Sequence, residues 1–224
     1  MDVSIKKSFI ASIKAYAEAR SLDGAEIQTS ILSIFESDLP FMQKVEELDA
    51  LMDETPAFDE LREIFFDLLM MNFFSADVKK LEEDYLESEE WENIEEQTID
   101  RGTELLNLLL YLRECADEDI EPDLEDFLKE FLLVEDDEFQ DEYRIYEPLI
   151  ANQVLAESSY PEIAKVAEKL DPESELRELF YPIMSYFLES SPIEEDFNDF
   201  AQAAPNAPFD LSVYQLITQY GETN

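Results

Sequence analysis

Three features of this 224-residue chain predict an all-α fold: apolar positions recur at helical spacing, helix starts are well marked, and glycine is nearly absent. Only Gly24, Gly102 and Gly221 occur, which leaves little room for tight hairpins or phosphate-cradling loops. The expected architecture is a multi-helix bundle or a helical-repeat superhelix.

In chain order, helices are expected at 3–20, 25–36, 39–53, 57–74, 76–88 and 91–114. A second set is expected at 122–134, 138–157, 160–170, 172–189, 192–204 and 209–220. Within 57–74 the apolar face is Leu61, Ile64, Phe65, Leu68 and Leu69; within 172–189 it is Leu176, Leu179, Phe180, Ile183, Met184 and Phe187. Thr55-Pro56 and Asp171-Pro172 each place a capping residue before a proline at the first helical position. Ser159 with Glu162, and Ser191 with Glu194, have the spacing of capping boxes. The segment 91–114 is apolar nearly all round at its end, through Leu105, Leu106, Leu108, Leu109, Leu110 and Leu112, so it is expected to be central.

The chain also matches itself at a shift of 115 residues. Glu60-Leu61-Arg62-Glu63-Ile64-Phe65-Phe66 falls on Glu175-Leu176-Arg177-Glu178-Leu179-Phe180-Tyr181, and the same register pairs Ile5 with Ile120 and Asp84 with Asp199. The expectation is a tandem duplication, with halves at 1–115 and 116–224 packed as one compact unit. Asp117 to Pro122 reads as the junction.

Charge is the main clue to function. The chain has 57 acidic and 15 basic residues, no histidine, and a formal net charge of −42. Disorder is excluded by 46% hydrophobic and 12% aromatic content, enough apolar surface to build a core. One cysteine, Cys115, fits a reducing compartment, and neither a signal peptide nor a long apolar run is expected, so the reading is a cytoplasmic protein. Residues 82–96 hold nine acids and no base, and 114–142 hold fifteen acids and one lysine, whereas 1–45 are nearly neutral. Tyr85, Trp91, Phe139, Tyr143 and Tyr146 are interleaved with these acids, as in surfaces that grip proteins. Adaptation to high salt and solvated helix faces are the plainer explanations for such charge.

Most catalytic constellations are excluded. Without histidine there is no Ser-His-Asp or Cys-His pair and no imidazole metal site, and a lone cysteine makes no thiolate cluster. No cofactor is expected. Glu60 and Glu63, mirrored by Glu175 and Glu178, have the spacing at which all-α nucleotide pyrophosphatases hold Mg²⁺, although Arg62 and Arg177 beside them suit ordinary rim charges better. Cys115 among acids makes a poor nucleophile.

The reading that results is a non-catalytic acidic protein that occupies a basic site on a partner protein. That partner is a nucleic-acid-binding protein or a toxin, with carboxylates standing in for phosphates as in an inhibitor or immunity protein. Direct contact with nucleic acid or membrane is not expected. The expected contact residues are Glu82, Glu83, Asp84, Tyr85, Glu87, Glu89, Glu90, Trp91 and Glu92, then Asp136, Asp137, Glu138, Asp141 and Glu142. A helical scaffold or chaperone-like adaptor, binding a peptide among exposed Phe and Met of 57–74 and 172–189, is the alternative.

Overall fold

A computed structural model describes residues 1–76, 85, 87–132 and 141–223, and among these the chain is helical with no strand. The helices are α1 (Val3–Arg20), α2 (Ala25–Glu36), α3 (Phe41–Glu54), α4 (Arg62–Ala76), α5 (Glu89–Thr98) and α6 (Leu105–Glu118). They continue as α7 (Leu124–Leu132), α8 (Asp141–Ala151), α9 (Tyr160–Ala167), α10 (Phe180–Leu188), α11 (Glu194–Ala203) and α12 (Ala207–Thr223), with 3-10 turns at Pro56–Leu61 and Gln153–Glu157. The helix expected at 76–88 falls largely outside the described residues.

α4 and α10 are the central helices, because neither has a polar face. In α4 the run Ile64 to Asn72 is buried, and in α10 Phe180 to Tyr186 is buried without a break. Most other helices pack on one or both of this pair, while α2 lies against α1 and α3. A single hydrophobic cluster runs through both halves, from Ile5 to Tyr220.

The most extensive helix–helix contact joins the two ends of the chain, α1 and α12. It depends on small side chains. Ser4, Ser8 and Ser12 recur one turn apart and are buried, so the two backbones approach closely. The Ser12 and Ser212 hydroxyls lie 2.8 Å apart, and Ser212 also donates to the Ser12 carbonyl. Glu60 accepts hydrogen bonds from Tyr16 near the end of α1 and from Asn206 just before α12, so the two helices run antiparallel.

Several expected elements are corrected. The helix 91–114 is two helices, α5 and α6, separated at 99–104 where Gly102 takes a φ of 82°. The helix 172–189 starts only at Phe180. Before it, successive i→i+3 bonds at Ser174, Arg177 and Leu179 make turns, while Asp171 caps the amide of Glu173. Thr55 does not cap the 3-10 turn after it, because its hydroxyl donates back to the Leu51 carbonyl. The box expected at Ser191 and Glu194 is displaced by two residues: the Asp196 carboxylate accepts from the Ile193 amide. Tyr146, read as a surface aromatic, is fully buried.

Candidate functional site

α5 is the described part of the first acidic run, and its sequence sets its two faces. Ser88 caps it by accepting from the Trp91 amide. Ile94 and Thr98 are buried and Trp91 half-buried, at the i, i+3, i+7 spacing of one stripe. The Trp91 ring packs 5.4 Å from Phe74, and Tyr85 packs 6.3 Å from both Phe73 and Trp91. These two aromatics therefore turn toward α4. Burial raises the Tyr85 phenol above its ordinary value, and the Glu90 carboxylate adds to the shift. The remaining face carries acids and no base: Glu89, Glu90, Glu92, Glu95 and Glu96 are exposed beside Asn93 and Gln97, as is Glu87 before them. Five carboxylates over seven residue steps, at 1.5 Å per step, give one negative charge per roughly 2 Å. B-DNA presents one per about 1.7 Å of axis.

The second described acidic surface lies where α6 meets α7. Glu114, Asp117, Glu118, Asp119, Glu121, Asp123, Glu125 and Asp126 are all exposed. The last turn of α6 contains no basic residue, so Asp117 and Glu118 stand at the negative end of the helix dipole. Arg113, the nearest upstream base, donates instead to the Ser75 hydroxyl. Among described ion pairs, those engaging this surface and α5 reduce to Lys129 with Asp126.

Of the other expected contact residues, Glu82, Glu83, Asp84, Asp136, Asp137 and Glu138 lie outside the described residues, as does the aromatic Phe139. The side chains of Asp141, Glu142 and Tyr143, at the start of α8, lie outside them too.

The loop from which α5 and α6 diverge is held by a charged clasp. Arg101 lies over the Phe66 ring at 4.7 Å, donates to both oxygens of Asp49 at 2.9 and 3.0 Å, and reaches both oxygens of Glu63 at 3.1 Å. Burial works against the Arg101 charge, but hydrogen bonds to Glu63 and Asp49 outweigh it and raise its pKa. Glu63 also accepts from the Gly102 amide at 2.7 Å. Beneath the loop, Asp67 is fully buried and accepts from the amide and hydroxyl of Thr103. Burial pushes the Asp67 carboxyl well up against those two bonds, and Glu63 and Glu104 push the same way. Periodicity did not reveal this acid; the Arg-Gly-Thr turn opposite it was the available signal.

The carboxylates with metal-like spacing part company. Glu60 serves Tyr16 and Asn206 and pairs with Arg20 at 3.5 Å, whereas Glu63 serves the clasp. Glu175 and Glu178 are exposed, and Arg177 reaches back to the Leu170 carbonyl. Among described residues no three carboxylates converge to hold a metal ion. Cys115 is buried, and burial, with Glu114 and Asp126 adding to it, pushes its thiol up. The Phe and Met residues of 57–74 and 172–189 lie mainly in the core: Phe65, Phe66, Met71, Phe180 and Met184 are all 2% exposed or less. Among described residues, no helix is long and apolar enough to cross a membrane.

Comparison with known proteins finds no match, whether to a family model, a curated protein or a solved structure.

Proposed function

We propose that this protein is a non-catalytic binding protein whose acidic surface occupies a basic, nucleic-acid-binding site on a partner protein in the cytosol. One observation carries the reading: exposed carboxylates accumulate on α5 and where α6 meets α7, with Lys129–Asp126 the one described ion pair among them, and Asp117 and Glu118 stand where they oppose the α6 dipole. A surface tuned for stability places Lys or Arg in the last turn of a helix; α6 places Asp117 and Glu118 there. The near-DNA charge spacing on α5 points to carboxylates substituting for phosphates. The clasp at Arg101 contributes by fixing the loop from which both acidic helices leave.

In the same reading the chain arose by tandem duplication. Several positions 115 residues apart share their burial, with Ile31 and Tyr146, Leu48 and Ile163, Leu61 and Leu176, and Phe65 and Phe180 each 0% exposed, whereas Ile5 is buried and Ile120 is 48% exposed.

The test is a pull-down at low salt with the whole protein as bait, and then competition. A captured partner should bind nucleic acid, lose it when this protein is added, and elute as salt rises. A variant with Glu89, Glu90, Glu92, Glu95 and Glu96 all changed to Gln should compete at least about tenfold less well. A partner that binds unchanged at high salt, or is unaffected by these changes, would overturn the reading.

A further inference from the structure

A cleft of about 810 Å³ forms a trough between α9 and α11 that neither the acidic runs nor the clasp uses. Its two walls are single helix faces: Pro161, Ala164, Lys165 and Glu168 on α9 and just beyond, and Asp196, Asp199, Gln202 and Ala203 on α11. Small side chains keep it open, because Ala164 and Ala203 stand where longer residues would fill the space between the helices. Tyr160 and Leu188 supply apolar surface. The Tyr160 ring is held by packing on Phe200, and its hydroxyl lies 3.2 Å from that of Tyr214, which donates on to the Glu189 carbonyl. Tyr160 is therefore fixed in the floor of the trough.

The charge around this trough is one-sided. Glu168, Glu189, Asp196 and Asp199 line it, against Lys165 alone. Asp196 accepts from the Ile193 amide and Glu189 from the Ser191 amide, so both carboxylates are oriented by backbone. From Tyr160 to Glu168 the wall extends roughly 12 Å at 1.5 Å per residue, about two helical turns.

We infer that the trough between α9 and α11 is a second docking site, for a Lys- or Arg-rich amphipathic segment of a protein partner. The inference rests on the basic-partner reading above and adds the element that reads it. An apolar side chain of the segment lies on Tyr160 and Leu188, while its basic residues face Glu168, Glu189, Asp196 and Asp199. Charge complementarity selects this occupant: an acidic or neutral peptide would leave the four carboxylates uncompensated.

The probe is a short fluorescein-labelled peptide with Lys and Leu at helical spacing, compared with one in which Ser replaces every Leu. At low salt the Leu peptide should bind the wild-type protein at least about tenfold more tightly than the Ser peptide. Ala203→Trp, which fills the trough without changing charge, and the pair Asp196→Asn with Asp199→Asn should each weaken it by about tenfold or more. The five-Gln variant of α5 removes more charge and should change binding less than about threefold. Should Ala203→Trp fail to fold by circular dichroism, the Asn pair carries the test. Affinity that tracks net charge in every variant would overturn the trough while leaving the acidic-surface reading intact. No binding of either peptide to the wild type would overturn both.

Discussion

Two residues show where the fold spends stability. Asp210, at 3% exposed, accepts from the Asn206 amide at 2.8 Å. Burial nevertheless pushes its carboxyl up to about 7, with Glu60 and Glu178 adding to it. The folded chain therefore binds a proton here that the unfolded chain releases near its ordinary value of 3.8. Stability from this group is fully present below about pH 4 and is lost as pH rises through about 7. Asp67 acts in the same direction. Asp210→Asn should raise Tm by several degrees at about pH 8 and make little difference at about pH 4, as read by thermal melts. An equal shift at both pH values would mean that carboxylate burial is not the cause. Gly102 is the second case. Its φ of 82° disfavours any side chain, and a Cβ there would lie 2.6 Å from the Asp67 Oδ1. Gly102→Ala should cost about 2 kcal/mol or more in urea unfolding, and a neutral result would mean the loop relaxes at no expense.

At the scale of elements, stability and function pull apart in α6. Replacing Asp117 or Glu118 by Lys should stabilise the protein by about 0.3–1 kcal/mol each, since a cation then meets the helix C-terminus. The same changes should weaken capture of a basic partner. Improved stability with unchanged binding would assign this surface to solubility alone. Helix prediction was uneven for a physical reason. α1 and α2 match expectation to the residue because local signals agree: Asp2 caps the amides of Ser4 and Ile5, and Ser21, Asp23 and Gly24 lie between the two helices. The 91–114 segment misled because its Leu pattern is helical on both sides of Gly102, and periodicity outweighed the one turn signal present. What interrupts it is the Arg101 clasp to α3 and α4, whose partners are 52 and 38 residues away.

For the whole molecule, the described ion pairs engage eight carboxylates: Glu18, Glu36, Asp49, Asp53, Asp59, Glu60, Glu63 and Asp126. Most of these belong to the first half, around Arg62 and Arg101. With a net charge of −42, repulsion among the remaining acids opposes the compact state. Raising NaCl from about 0.02 to 0.5 M, which shortens the Debye length from more than about 10 Å to less than half that, should therefore raise Tm. The same salt should release a partner held by charge. A Tm that falls would show that the ion pairs outweigh the repulsion.

The acidity, the helical class and the separation of neutral and acidic stretches were readable residue by residue, because each depends on composition or on neighbours within one or two turns. Packing was not. That α1 lies along α12 depends on Ser12 meeting Ser212, 200 residues away. That Asp67 and Asp210 are buried, that Trp91 turns toward α4, and that an acidic trough opens between α9 and α11 depend on which helices share a core. No local pattern encodes those choices, since small, polar and acidic residues read as surface until a second helix covers them.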